Sequence, residues 1–290
     1  MNNNFKHISL SFLVIFFAMT EINFSQLEKV AEGFQFVEGP VWKDGAIIFS
    51  DIPANKIYRW NDKDGLSVFL EPSGNSNGLA LDVDGNLLLA QHGKRRLAKI
   101  YHDGREFSLI ENYNGKKLNS PNDIAVKSDG SIFFTDPPYG IGADQEELGF
   151  YGIFRLSTNG DLHLLDNSLR RPNGIAFSPD ENLLYVTNSG TNEIFVWDVV
   201  DTTIVNKRLF VKMEPNGKGD GLKINSKGRL FVAGSVGVWI LDSDGTFLEM
   251  VEVPGQTTNC NWGDEDGKSL YITSGNAVYR YRSKLTTYEN

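Results

Sequence analysis

The sequence predicts an all-β fold: a six-bladed β-propeller in which an N-terminal strand completes the last blade. Three observations predict it. One pattern of residues recurs six times: a polar leader, a short strand, a tight turn and a second strand. The leaders, at positions 38, 77, 122, 173, 220 and 259, stand roughly 40–50 residues apart, the period of a four-stranded blade. The last copy is one strand short, while a lone strand precedes the first.

The copies run as follows. Glu38-Gly39 leads Pro40 to Trp42, the turn Asp44-Gly45, then Ala46 to Ser50. Asn77-Gly78 leads Leu79 to Leu81, Asp84-Gly85 and Leu87 to Ala90. Asn122-Asp123 leads Ile124 to Val126, Asp129-Gly130 and Ser131 to Asp136. Asn173-Gly174 leads Ile175 to Phe177, the turn from Pro179 to Asn182, and Leu183 to Thr187. Asp220-Gly221 leads Leu222 to Ile224, Lys227-Gly228 and Arg229 to Ala233. Asn259-Cys260 leads Trp262, Asp266-Gly267 and Ser269 to Thr273. Further strands rich in aromatic and β-branched residues follow, such as Lys56 to Trp60 and Val238 to Leu241. The sixth copy ends with a third strand, Ala277 to Arg282, and Leu27 to Phe36 is the donor of its missing fourth. Pairing the two ends would leave no open edge between the first and last blades. Longer insertions fall at Pro137 to Gly149 and Val211 to Gly219. Asp-x-Asp-Gly strings such as Asp242 to Gly245 lack the further ligands of a helical calcium loop and read as hairpin turns.

Residues 1–25 read as a secretory signal peptide, with Lys6 ahead of a mostly apolar run, Ile8 to Met19, too short to span a bilayer. Residues 26–290 are then the propeller, secreted or periplasmic, with no membrane attachment after cleavage. Its lone cysteine, Cys260, allows no internal disulfide. The formal net charge of −9 disfavours nucleic acid as a partner.

Propeller geometry gathers the leaders. The first strand of each blade lines the central channel, and all six start on one face. Glu38, Asn77, Asn122, Asn173, Asp220 and Asn259 therefore form a ring at the channel mouth. Second strands return to that face and deliver a second tier: Asp51, His92, Asp136 with Tyr139, Asn188, Ser235 and Ser274. The ring offers oxygen donors and two carboxylates, which suits a hard divalent cation, Ca²⁺ first and Mg²⁺ or Mn²⁺ behind it. No nitrogen–sulfur zinc site and no Gly-x-Ser-x-Gly nucleophile are present. His92 belongs to the site, while Arg95 and Arg96 in the same loop are candidates for an anionic substrate or for a solvated loop. Tyr139 is a candidate lid or packing residue.

These residues resemble the SMP-30/gluconolactonase/luciferin-regenerating family, and its bacterial gluconolactonase-type members most. The resemblance covers nearly all of the chain after residue 25. It rests on Glu38-Gly39-Pro40-Val41-Trp42, on Asn77-Gly78-Leu79, on the block from Leu118 to Gly140, on Arg171-Pro172-Asn173-Gly174-Ile175-Ala176 and on Asp220-Gly221. It implies a six-bladed propeller with one divalent cation in the channel mouth, held by Glu38, Asn173 and Asp220, with Asn122 a fourth ligand or a substrate contact. Animal-type members carry an arginine two residues before that asparagine; this chain has Ser120, so their substrate preference does not transfer.

The activity implied is hydrolysis of a small-molecule sugar lactone such as a glucono-1,5-lactone. The cation would be the Lewis acid on the carbonyl, and Asp220 both ligand and general base, with metal-activated water as the alternative. Asn77, His92, Asn122 and Tyr139 would bind substrate. Two other readings remain open from the residues: hydrolysis of another lactone or a phosphotriester on the same scaffold, or a propeller that binds a ligand without catalysis.

Overall fold

The computed structural model describes residues 27–214 and 217–282. The expected signal peptide lies outside them. The described chain forms six four-stranded antiparallel sheets and one two-stranded hairpin, Asn112–Tyr113 with Lys116–Lys117. The first blade runs Val37–Lys43, Ala46–Asp51, Lys56–Asn61 and Gly65–Leu70, in that order from the axis outward. The second to fifth repeat this plan, starting at Ser76–Leu81, Ile124–Val126, Pro172–Phe177 and Leu222–Ile224. Burial falls along the radius. Ala46–Asp51 is buried throughout, whereas Gly65–Leu70 has no buried residue.

The sixth blade closes the ring. Thr257–Gly263, Ser269–Ser274 and Ala277–Tyr281 are followed by Leu27–Glu32, which pairs antiparallel with the third strand from Leu27 opposite Tyr281 to Glu32 opposite Ala277. The donated strand is shorter than expected. The chain turns at Gly33, and the Gly33 and Phe34 amides both donate to the Asn276 carbonyl. Residues 33–36 thus form the passage into the first blade, and Phe34 packs against Phe49 and Tyr58.

Apolar clusters fill the spaces between neighbouring blades. One joins the fifth to the sixth through Phe231, Ile240, Cys260 and Ile272; another joins the second to the third through Leu88, Leu97, Phe134 and Phe154. The Asp-x-Asp-Gly strings are hairpin turns, as expected; Asp242, for example, accepts the Gly245 amide at 2.9 Å.

Of the glycines after the leaders, Gly39 has a left-handed φ of 55°, but Gly78 and Gly174 are needed for another reason. Gly78 and Gly174 have no left-handed φ. A β-carbon on Gly78 would lie 2.3 Å from the Asn122 carbonyl oxygen, and one on Gly174 would lie 2.5 Å from that of Asp220. At these two positions the first strands of adjacent blades approach so closely that only glycine fits. Replacing Gly174 with alanine is therefore expected to force the Asp220 backbone outward, at about 1–3 kcal/mol of stability as for other overpacked cores. Equilibrium denaturation of Gly174→Ala would check this, and an unchanged midpoint would contradict the close approach.

Candidate active site at the channel mouth

The leaders are aimed by a repeated set of hydrogen bonds. The Ser50 hydroxyl donates to the Asn77 carbonyl (2.7 Å), Thr135 to that of Asn173 (2.6 Å) and Thr187 to that of Asp220 (2.6 Å). In each case a hydroxyl at the end of one second strand holds the next blade's leader backbone. The residue after that hydroxyl holds the approach to its own leader. Asp51 accepts the Gln35 and Phe36 amides, Asp136 the Asn119 amide and Asn188 the Arg171 amide. Most of the expected second tier is thus scaffolding: Asp51, Asp136, Asn188 and Ser274 bond loop backbone instead of facing a ligand. Sequence analysis missed Ser50, Thr135 and Thr187, although a hydroxyl directly before Asp or Asn at the same place in three copies was there to be read.

Glu38, Asn77, His92, Asn122, Tyr139, Asn173 and Asp220 line one cavity of about 270 Å³ at the channel mouth. Phe36, Ile52 and Pro53 give it an apolar side, and Ser189, Lys218 and Gln256 complete the wall. The seven residues named from the sequence as ligands, base or substrate contacts are therefore brought together. Asn259, the sixth leader, does not line the cavity. Its side-chain amide donates to Glu38 (3.0 Å), and its carbonyl oxygen accepts the Cys260 amide (2.9 Å). Glu38 also accepts the Gly39 amide at 2.6 Å.

Both carboxylates are desolvated and electrostatically crowded, Glu38 buried and Asp220 half-buried. Burial raises Glu38 to about 7, and the Asp123 charge adds to the shift. Burial likewise pushes Asp220 well above the usual carboxylate range, with the Glu38 charge second. Lys223 for Glu38 and Lys218 for Asp220 offset these shifts least of all the groups involved. Asn173 is 4% exposed and its Oδ1 is buried without a hydrogen-bond partner. Two crowded carboxyl groups, one buried and one half-buried, beside an orphaned amide oxygen fit a hard divalent cation, with Glu38, Asn173 and Asp220 able to hold it and Asn122 on the same wall. Among the described residues no three His, Cys, Asp or Glu side chains cluster as a metal site, so the donors at the channel mouth are two carboxylates completed by amide oxygens.

The remaining groups are suited to orienting a ligand. His92 pairs with the Asn77 amide at 3.1 Å, and burial lowers it to about 4, so the ring is neutral at pH 7. Tyr139 leans on Ser189 and Asn173 through its hydroxyl and lies under the Arg171 guanidinium. Ser120 fixes the start of that loop, donating to the Pro137 carbonyl (2.6 Å) and accepting the Gly140 amide (2.9 Å). Arg95 and Arg96 do not reach the cavity. Arg95 holds the Leu118 carbonyl and Glu147, while Arg96 is taken up by Gln91, Glu106 and Glu111.

A model of the SMP-30/gluconolactonase/LRE-like region matches residues 36–276. The chain belongs to this family. Among its relatives, a gluconolactonase from Zymomonas mobilis is 37% identical, with 89% of this chain and 81% of that protein covered. A pentonolactonase from Haloferax volcanii is 25% identical, covering 82% of this chain and 80% of that one. The solved structure of a gluconolactonase from Xanthomonas campestris superimposes with a TM-score of 0.83 at 33% identity, covering 88% of this chain and 89% of that one. The family architecture agrees with the blade count and closure described above.

Asp136 supplies a test of the scaffold. Burial raises its carboxyl to about 7 from 3.8, partly offset by the Asn119 amide, and its Oδ1 has no partner. The folded chain therefore binds this proton more tightly than the unfolded chain. The associated stability is present below about pH 4 and is lost as pH rises through about 7. Relative to Asp136→Asn, the wild type is expected to lose melting temperature across that window and to level off above it. Parallel melting curves from pH 4 to pH 8 would show that Asp136 carries no such proton.

Proposed function

We propose that this protein is a divalent-cation-dependent hydrolase that opens sugar lactones of the gluconolactone type. The single observation that carries the reading is the convergence of Glu38, Asn173 and Asp220 on one cavity, two of them acids held above the usual carboxylate range by desolvation and the third an amide oxygen with no partner. The names of the relatives, a gluconolactonase and a pentonolactonase, support the substrate class.

A cation held by Glu38, Asn173 and Asp220 would polarise the lactone carbonyl and stabilise the charge that grows on its oxygen. The chain's own groups do the rest. The apolar side, Phe36, Ile52 and Pro53, receives the ring's carbon face and excludes water from it. Asn77, Asn122 and Tyr139 present hydrogen-bonding groups to the sugar hydroxyls. His92, neutral, orients the Asn77 amide without adding charge. Asp220 accepts a proton from the attacking water as its oxygen bonds to the carbonyl carbon. The same proton is then available to the ring oxygen as the ester bond breaks, giving the open hydroxy acid. Glu38 is already engaged by the Gly39 and Asn259 donors, so it is a holding group and not the base.

The direct test is turnover of glucono-1,5-lactone with and without a chelator, after subtraction of spontaneous opening. Cation-dependent turnover is expected; turnover indifferent to exhaustive chelation would remove the cation from the reading, and none under any condition would remove the lactone. Asp220→Asn separates holding from proton transfer, since it keeps the shape and one oxygen but loses the basicity. With cation saturating, its kcat is expected to fall by roughly 10²–10⁴. Full recovery of kcat at high cation would take Asp220 out of the base role. His92→Ala and Asn77→Ala are expected to raise KM more than they lower kcat.

A further inference from the structure

A second cavity of about 270 Å³ adjoins the first. Lys218, Asp220 and Gln256 line both, and Ser235, Gly255 and Thr257 line the second alone. Either cavity by itself falls just under the range of small-molecule sites, about 300–1,000 Å³, while the pair taken together lies within it. A ligand that fills the first and extends over Asp220 enters the second.

The second cavity is rich in donors. Thr257 is 1% exposed, and its Oγ1 is buried without a partner. A buried hydroxyl left unpaired in the free protein costs stability unless a ligand or water completes it. Among the described residues Lys218 is the one cationic side chain on either cavity wall. It hydrogen bonds to no described residue, and its influence on Asp220 is the weakest of those acting on that acid. The Asp220 charge is committed to the cation in the proposed function, so the second cavity is left with the Lys218 charge and three neutral polar side chains.

The backbone that carries Lys218 is anchored. On one side Met213, fully buried in the core between the fourth and fifth blades, fixes the end of the outer strand. On the other, Ser189 donates to the Gly219 carbonyl at 2.6 Å and the Asp220 amide donates to the Ala233 carbonyl at 2.8 Å. Gly219 and Asp220, next along the chain, are thus held in place, and the exposed Lys218 side chain lines both cavities. Arg95 and Arg96, the other cations expected near the mouth, are tied into the second blade and its neighbour loop.

We infer that this second cavity is a substrate subsite for an anionic oxygen group, a phosphate ester or a carboxylate, carried on the carbon chain beyond the lactone ring. Lys218 neutralises the group, and the Thr257 hydroxyl with Gln256 completes its hydrogen bonds. The inference rests on the lactonase reading for the placement of the ring, and it makes Lys218 a specificity-determining residue.

The test compares glucono-1,5-lactone with its 6-phosphate and with glucaro-1,4-lactone, which carries a carboxylate, using wild type, Lys218→Met, Lys218→Arg and Thr257→Val. The ratio of kcat/KM for an anionic lactone to that for the neutral one is expected to fall about 10- to 100-fold in Lys218→Met, mainly through KM, and to be largely kept in Lys218→Arg. Thr257→Val lowers the same ratio by a smaller factor. Which of the two anionic lactones shows the larger change distinguishes phosphate from carboxylate.

A second measurement does not depend on turnover. Calorimetric binding of 6-phosphogluconate and glucarate should exceed that of gluconate, and Lys218→Met should abolish the difference. No preference for the anions in the wild type, or an equal loss on all three ligands in Lys218→Met, overturns the subsite. Anion binding through Lys218 without hydrolysis of any lactone would overturn the lactonase reading and leave the subsite standing. Gluconolactone turnover without anion preference would do the reverse.

Discussion

The site depends on how closely the first strands meet around the axis. At Gly78 and Gly174 the neighbouring blade's carbonyl occupies the place of a side chain, and the Gly78 amide donates to that carbonyl at 2.8 Å. The hydroxyls of Ser50, Thr135 and Thr187 donate to the leader carbonyls of Asn77, Asn173 and Asp220. A leader backbone held from the neighbouring blade has little freedom, and its side chain can only enter the channel mouth. Buried backbone acceptors need such partners in any fold. Here the requirement is met in a way that also points six polar side chains at one another.

Pointing acids at one another costs energy, and the channel contains the means to limit it. Asp123 takes the position that glycine holds in other copies, so a third carboxylate lies beneath Glu38 and raises it. Lys223, from the fifth blade, pairs with Asp123 at 3.3 Å and relieves part of that charge. Both ends of the pair are largely buried, a condition under which breaking it leaves an uncompensated charge. The pair closes the floor of the channel, and the excess negative charge stays at the mouth with Glu38 and Asp220. A divalent cation is the partner that such a residue fits.

The fold was legible in the sequence because its two signals are local. Hairpin turns and alternating strands are written in neighbouring residues, and the missing sixth-blade strand was found by counting. The leaders were legible for the same reason, being fixed in step with the turns. What was misread involved contacts between distant segments. The glycines at 78 and 174 give no sign in the sequence of the carbonyl that the next blade sets against them. Arg95 looks available until Leu118 and Glu147, far along the chain, are seen to hold it. The second cavity could not be read at all, because residues 218, 235 and 255–257 meet only after the fifth and sixth blades are packed.

The copies are most informative where they differ. In the first, third and fourth blades the second strand ends in a hydroxyl followed by Asp or Asn, and both side chains serve the scaffold. The second blade has Ala90-Gln91 at this place. Gln91 reaches the Ser73 carbonyl at 2.9 Å where the other copies have the Asp or Asn, and His92, the next residue, lines the cavity. The fifth blade ends in Gly234-Ser235, where the glycine offers no side chain and the serine faces the second cavity. In the sixth, the leader Asn259 has turned from the mouth to hold Glu38. A propeller of identical blades would place six equal groups around its axis, which suits an ion but not an asymmetric substrate. The departures from the repeat give the ring a direction: a cation side at Glu38, Asn173 and Asp220, a neutral hydrogen-bonding side at Asn77 and His92, and an opening past Asp220 toward Lys218.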